Sequence, residues 1–338
     1  MSEVTCAVLG FGRLGQWHAE NLAKLKQANV MSICDPNVDK MQQKAKELGI
    51  PHYTTNPDDI FQDDRIQAVI ISTPTSTHYE LLKKAIKYGK AIFIEKPLTR
   101  TLEEAEEIVQ LIEQKSIFCQ VGFMRRFDPA YVEAKKRILA GDIGEPVFYK
   151  GVSRDPGAPP IQFVKNSGGI FLDLAIHDYD MARFLLNSEV TKVSAHGNVL
   201  IHDFMHEFND VDQAGTYLTF SNGASADIES SRNAFYGYDI RGEIIGTEGS
   251  ISIGSLRYHD VKVFTNKGAS YDLLPSFPER FKDAYIEEMT QFVTSLAEGS
   301  PSLVTADDAK KSLEIAYAAT SSFRQSQVVS LSRNQVCL

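Results

Sequence analysis

Lys96 stands where a lysine can do chemistry. It follows the apolar run Ala91-Ile92-Phe93-Ile94 and Glu95, and it precedes Pro97. The proline restricts the residue before it to extended conformations, which limits the directions its side chain can take. An ammonium held there can hydrogen-bond a hydroxyl and stabilise the alkoxide that forms as the proton leaves. Glu95 and Lys96 would also make a surface pair at a strand end. A second constellation is Asp173 and His177, four residues apart behind Gly168-Gly169. On a helix that spacing puts both on one face. A carboxylate beside an imidazole fixes its tautomer and stabilises the imidazolium, so the pair suits a general base. A helix-surface ion pair would show the same spacing. Asp178 and Asp180 fall on other faces and are expected as caps or solvated charges.

A binding signature opens the chain. Thr5-Cys6-Ala7-Val8-Leu9 is a short apolar strand, followed by Gly10-Phe11-Gly12-Arg13-Leu14-Gly15, a helix, the strand Val30–Cys34, and Asp35. The first glycine permits a sharp strand-to-helix turn. The second permits close approach of a pyrophosphate, and the third permits tight helix–strand packing. The helix N-terminus offers N–H groups and a positive dipole end to the phosphates. Asp35, about 20 residues after the last glycine, would accept hydrogen bonds from a ribose 2′-hydroxyl and repel a 2′-phosphate, which favours NAD over NADP. A glycine turn that binds no nucleotide is the structural alternative. His202, His206 and Glu207 have the spacing of metal ligands, but they follow a strand in an acidic stretch with Asp203, Asp210 and Asp212. A structural zinc site would want cysteines or a third well-placed ligand. They read as a solvated or interface loop.

The elements that must position these residues alternate. Gln67–Ser72 is an apolar run ending at Thr73-Pro74-Thr75, His78–Tyr88 is helical, Ala91–Ile94 is a strand, and Leu102–Lys115 is an amphipathic helix. Thr101 and Glu104 have the spacing of a capping box at its start. Alternating β and α elements predict a doubly wound parallel sheet with helices on both faces, and ligands bind beyond the carboxyl ends of its strands. Ser72, Thr73, Pro74, Thr75, His78, Glu95, Lys96, Met124 and Arg126 are candidates there. After Gly122 the pattern changes to strands at 146–153, 191–201, 213–220, 225–231, 238–245 and 250–253, with turn signals such as Ser221-Asn222-Gly223 between them. One helix, Phe171–Leu186, interrupts the strands, and two more end the chain. The expected fold is therefore α/β followed by α+β. Residues 1–123 form an NAD-binding Rossmann domain. Residues 124–338 form a substrate-binding and oligomerisation domain, with an open-faced, largely antiparallel sheet and helices on one side. Tyr217 with Thr219, and Ile240 with Ile244, are expected on the open face as a subunit interface.

At 338 residues, 43% hydrophobic and 23% charged, the chain has room for two cores. A net charge of −9 argues against nucleic acid or an anionic membrane as partner. No apolar run reaches membrane-spanning length. Cys6, Cys34, Cys119 and Cys337 include no C-x-x-C pair and read as reduced thiols, with a cytoplasmic location.

Taken together, these motifs resemble the glucose–fructose oxidoreductase/inositol dehydrogenase family. The residues that carry the resemblance are Gly10–Gly15 with Asp35, Thr73-Pro74, Glu95-Lys96-Pro97-Leu98, Gly122-Phe123-Met124-Arg125-Arg126-Phe127 and Asp173-x-x-x-His177, and they follow the family's order. Ser153-Arg154-Asp155-Pro156, Ile176–Phe184 and Tyr236-Gly237-Tyr238-Asp239 point to its inositol dehydrogenase branch. The resemblance implies an NAD-dependent dehydrogenase that uses no metal, is commonly tetrameric through its open sheet, and oxidises a secondary hydroxyl of a cyclic polyol such as inositol. It implies that Lys96 polarises the hydroxyl, His177 takes its proton and Asp173 supports His177. Met124, Arg126, Asp155, Tyr236 and Tyr238 would contact the polyol. A dehydrogenase of an aldose or sugar nucleotide is the alternative within the family, and a non-catalytic NAD-binding regulator is the alternative outside catalysis.

Overall fold

The apolar runs of the first part of the chain form six parallel strands. They are β1 (Val4–Leu9), β2 (Ala28–Cys34), β3 (His52–Thr54), β4 (Ala68–Ile71), β5 (Ala91–Glu95) and β6 (Cys119–Gly122). Their order in the sheet is β3-β2-β1-β4-β5-β6. The chain thus winds one way from β1 and the other way from β4, and ligands bind at such a switch point. Strands covered on both faces need apolar side chains throughout; β4 is buried along its whole length. The computed structural model describes residues 3–331, and Cys337 lies outside them.

The chain divides into two compact units. Of the described residues, the first comprises residues 3–127 together with Asp283–Lys311, and the second comprises Asp128–Lys282 with residues 312–331. In the first unit the helices Arg13–Leu22, Val38–Leu48, His78–Lys87 and Leu102–Lys115 follow the strands. The last opens with the expected capping box: the Thr101 side chain accepts from the Glu104 N–H, and Glu104 accepts from the Thr101 N–H. The late helix Phe277–Glu298 departs from helical geometry at Phe281. Its residues Met289, Phe292 and Val293 join the core made by Val8, Leu22, Ile33, Ile70 and Phe93. Cys6, Cys34 and Cys119 are buried free thiols. Burial pushes each up to about 12, so they are structural and unreactive.

The second unit is built on β7 (Pro146–Arg154), β8 (Val190–Asn198), β9 (Gln213–Phe220), β10 (Ser225–Ser231), β11 (Asp239–Gly246) and β12 (Ser250–Ile253). A short ribbon, β13 (Val263–Thr265) with β14 (Gly268–Ser270), stands apart, and β15 (Val329–Ser330) completes the main sheet. The order is β12-β11-β7-β10-β9-β8-β15, antiparallel except for the β7–β10 pair.

The helix Ile176–Leu186 packs on one face of this sheet, and Tyr179 Oη meets Thr216 Oγ1 at 2.9 Å. A Cβ at Gly151 would lie 2.8 Å from Asp178 Oδ1, so only glycine lets strand and helix approach this closely. Asp178 and Asp180 are fully buried, contrary to the expectation of solvated charges. Asp178 accepts from Ser153 and Tyr149, and Asp180 accepts from Ser312. Ile240 and Ile244 are also buried, so they belong to the covered face. The open face carries Tyr217 and Ile245 beside the exposed charges of Lys150, Asp227 and Glu243. Side chains alternate along a strand, and the neighbouring positions were the outward ones. Among the described residues, no helix is long and apolar enough to cross a membrane.

Candidate active site

In the first unit the glycine turn behaves as its spacing predicts. Gly10 has φ +85°, and a Cβ there would lie 2.7 Å from the Ser72–Thr73 backbone. A Cβ on Gly15 would lie 1.9 Å from the Gly10 carbonyl oxygen. A Cβ on Gly12 would meet nothing within 4 Å, so the second glycine faces open space, as close approach of a phosphate group requires. The helix that follows has no acidic residue in its first turn and no side-chain cap, which leaves its positive end available to an anion. Phe11 and Arg13 divide the remaining work. The Phe11 ring is buried and its N–H donates to Asp35 Oδ2 (2.6 Å), while Arg13 is exposed beside Trp17. Asn37 N–H donates to Asp35 Oδ1 (2.9 Å). A carboxylate has about four acceptor positions, so this anchored Asp35 still offers acceptors to a ribose diol.

This geometry fixes an expected result. Asp35→Ser narrows the preference for NAD over NADP by about tenfold or more, because it removes a like charge without adding a phosphate ligand. Specificity constants for both cofactors, compared between variant and parent, measure it.

The strand ends close around the turn. Ser72 Oγ donates to the Gly10 carbonyl oxygen (2.8 Å), so it locks the glycine turn. Thr73, Pro74 and Thr75 stay partly or fully exposed at the rim. His78 is buried, with Nε2 3.0 Å from the Thr73 carbonyl oxygen and Nδ1 2.9 Å from that of Pro97. Burial moves its pKa below the ordinary histidine range, although the carbonyl contacts oppose this. It is a brace between two loops and does not present its ring to a ligand. Lys96 directly follows β5, is half-buried, and is joined to Pro97 by a cis peptide bond. Glu95 is buried in the unit, with Oε1 2.7 Å from His18 Nε2. Its carboxylate is engaged inside the unit, where the sequence reading expects it at the cofactor. Met124 and Arg126 lie in a buried turn, Met124–Phe127. Arg126 pairs with Asp308 (3.1 Å) and donates to the Leu303 carbonyl oxygen (3.3 Å), so its guanidinium anchors a loop of its own unit in place of the expected substrate contact.

In the second unit the residues gather around one that the sequence did not single out. Arg232 directly follows β10 and is 1% exposed. Its Nη1 reaches Asp155 Oδ2 (3.1 Å) and its Nη2 reaches Asp173 Oδ2 (3.0 Å). Burial works to lower its pKa, but the two carboxylates outweigh that and raise it, so the guanidinium stays charged. The helix expected to carry Asp173 and His177 is broken into Ile170–Asp173 and Ile176–Leu186. At the junction the Ala175 N–H reaches back five residues to the Ile170 carbonyl oxygen (3.0 Å), a π-type turn of a kind frequent at functional sites. His177 is in the first turn of the second piece and is 8% exposed.

The histidine-bearing loop is fastened to the same place. Asp212 is fully buried and accepts from the N–H groups of Leu200 (3.0 Å), Ile201 (2.8 Å) and His202 (2.8 Å). Burial would raise its pKa, yet these amides bring it below the usual carboxylate range. His202 Nε2 is 3.3 Å from the Arg232 carbonyl oxygen, and His206 is exposed. Asp210 and Asp212 are interior anchors, not part of a solvated acidic stretch. Tyr236, expected at the substrate, donates to Asp239 (2.7 Å) and accepts from Arg154 (2.9 Å). Arg154 also grips Glu229 through two bonds of 2.9 and 2.6 Å. Tyr238 is buried and meets Phe281 edge to face, so it is a packing residue.

The same two-part organisation is found in known proteins. Residues 4–123 match an oxidoreductase family described by its NAD-binding Rossmann fold, and residues 135–331 match that family's C-terminal alpha/beta domain. A scyllo-inositol 2-dehydrogenase (NAD(+)) of Bacillus subtilis strain 168 is 50% identical over 330 residues, 97% of this chain and 96% of that protein. A myo-inositol 2-dehydrogenase of Thermotoga maritima is 36% identical over 328 residues, 96% of this chain and 97% of that one. The structure of a scyllo-inositol dehydrogenase from Lactobacillus casei, with bound NAD(H) and scyllo-inositol, superimposes with a TM-score of 0.92 at 32% identity, covering 97% of this chain and 98% of the other. With both units matched along almost their whole length, this chain belongs to the Gfo/Idh/MocA family of NAD-binding oxidoreductases.

Proposed function

We propose that this protein is an NAD-dependent inositol dehydrogenase, which oxidises one secondary hydroxyl of myo- or scyllo-inositol to the ketone. The observation that carries the reading is the buried Arg232, which holds Asp173 and Asp155 in the unit that bears His177. The open space at Gly12 and the anchored carboxylate of Asp35 suit a pyrophosphate and an unphosphorylated ribose. NAD bound there would supply the hydride acceptor. Lys96 donates a hydrogen bond to the reacting hydroxyl and lowers the cost of the negative charge that develops on its oxygen. His177 takes the hydroxyl proton. Asp173, fixed by Arg232, orients and supports His177. Asp155, on the other arm of Arg232, is placed to accept from a neighbouring hydroxyl. Arg126, Tyr236 and Tyr238 are not part of this set. Relatives of both inositol isomers support the substrate class. NMR of the product after incubation with NAD and each inositol tests it. A ketone in place of one CH–OH is expected, whereas oxidation of aldoses or sugar nucleotides alone would move the assignment to the sugar dehydrogenase alternative.

The same reading makes the enzyme a cytoplasmic homo-oligomer, in the favoured form a tetramer joined through the open face of the second sheet. Support comes from Tyr217 and Ile245, large side chains left exposed amid mixed charges. Light scattering at micromolar protein is expected to give a multiple of the chain mass, and Tyr217→Lys is expected to lower it. A monodisperse monomer contradicts the proposal.

A further inference from the structure

The interior of the first unit holds a titratable group that the reaction does not use. Glu288 lies on the helix Phe277–Glu298 and is 0% exposed, and neither of its carboxyl oxygens has a hydrogen-bond partner among the described residues. It approaches Glu95 and His18 so that one nitrogen or oxygen from each of the three lies within 4.8 Å of the others. His18 is also fully buried, packed edge to face on Phe93 (centroids 5.0 Å) and Tyr285 (6.0 Å). Its Nε2 meets Glu95 at 2.7 Å, and its Nδ1 has no partner among the described residues. An imidazolium would bury an unsatisfied N–H at that position, so the neutral ring with the proton on Nε2 fits best. The trio then contains two carboxyl groups and no cation of its own.

Two ionised carboxylates cannot share such a space cheaply, and one of them must take a proton. The bonding decides which. Glu95 Oε1 accepts from His18, and Glu95 Oε2 packs against Gly122, where a Cβ would lie 2.9 Å away. Glu288 has no donor among the described residues. We propose that Glu288 is a positioning residue for Lys96: held neutral, it leaves Glu95 the only anion beside His18, and so keeps the Glu95–His18 bond and the end of β5 that carries Lys96 in place. Burial first, and the nearby Glu95 second, push the Glu288 carboxyl well above the usual carboxylate range. If Glu288 ionised, its repulsion would act on Glu95, the residue adjoining Lys96 through a single peptide unit. From the elements packed here, the groups that face it are His18 from the helix Arg13–Leu22, Glu95 from β5, and Gln120 from β6, whose side-chain amide donates to the Glu288 carbonyl oxygen (3.1 Å). His78 also lies within the field of Glu95.

The inference rests on the role given to Lys96, so the test pairs a direct probe with an activity probe. Infrared difference spectra between the parent protein and Glu288→Gln are expected to show a protonated carboxyl carbonyl band at neutral pH that the variant lacks. Glu288→Gln, a neutral isostere, is expected to keep the parent kcat and NADH dissociation constant at neutral pH, whereas Glu288→Ala, which opens a cavity beside Glu95 and lets its side chain move, is expected to lower kcat about tenfold to a hundredfold with the NADH dissociation constant unchanged. The sign with pH follows from the raised pKa. The neutral form is present at lower pH and lost as pH rises, so the parent enzyme loses turnover at a lower pH than Glu288→Gln. Absence of the acid band, coincident pH profiles for parent and Glu288→Gln, or one divalent cation per purified chain balancing the two carboxylates would each overturn the proposal. Normal turnover in Lys96→Ala would instead remove the role of Lys96, and it is told apart because the acid band persists.

Discussion

His177→Ala lowers kcat by about a hundredfold to ten-thousandfold, the usual contribution of a general base. The hydroxyl proton must leave as the carbonyl forms, and an imidazole accepts a proton at physiological pH without a large penalty. His177 stands at the start of a helix held by many buried contacts, so the loss of one ring leaves the unit folded. With NADH held, as proposed, at the glycine turn and Asp35, its binding is expected to stay within about twofold of the parent, since neither is touched. Lys96→Ala shows a loss of similar size for a different reason: the oxyanion loses a charged donor. Asp173→Asn is milder, because an amide can still orient the ring. Turnover and NADH affinity measured in the same preparations separate these outcomes. Near-normal turnover in His177→Ala removes it from the mechanism, and failure of all three variants to fold returns them to a structural role.

Arg232→Leu has the second large effect, on stability and activity together. The guanidinium is buried and bridges two carboxylates whose side chains are 25% and 17% exposed. Breaking a fully buried ion pair costs about 3–5 kcal/mol. The remaining exposure of Asp155 and Asp173 brings the expected loss to about 2–3 kcal/mol. Turnover falls as well, since Asp173 loses the contact that fixes it. Arg232→Lys keeps the charge but cannot reach both carboxylates with one planar fork, so it is expected to retain stability better than activity. Urea midpoints and kcat for both variants check this. Unchanged stability in Arg232→Leu would mean that the bridge contributes nothing in solution.

The first half of the fold was legible because its signals are local. The glycine turn, the run of buried strands, the capping box at Thr101 and the acid at Asp35 each need only a few neighbouring residues to be read. The second half was legible as strands but not as faces: Ile240 and Ile244 were placed outward when they point inward, because an antiparallel strand of mixed composition alternates without saying which side is covered. The helical pattern near Arg280 to Glu298 marks a helix without showing that its later turns complete the core of the first sheet. The site divides along the same line. Lys96, Asp173 and His177 stood out through chain-local spacing. Arg232 did not, because its two partners are 77 and 59 residues away in sequence, and only the polar run Ser230-Ser231-Arg232-Asn233 hints at it. Glu288 was invisible for the same reason: on its helix it reads as one more surface acid, and only the fold brings it to Glu95. Arg126 and Tyr238 show the converse: they read as substrate contacts by residue type, whereas the fold engages Arg126 with Asp308 and Leu303 and packs the Tyr238 ring on Phe281.

The central claim is that this chain oxidises a free inositol with NAD. The measurement that tests it most directly is the initial rate of NADH formation over a panel of myo-inositol, scyllo-inositol, other inositols, aldoses and sugar nucleotides, with His177→Ala run alongside as the blank. The account predicts rapid NADH formation with at least one inositol, much slower formation with the sugars and their nucleotides, and almost none in the variant. No inositol-dependent NADH formation by the parent protein would contradict it.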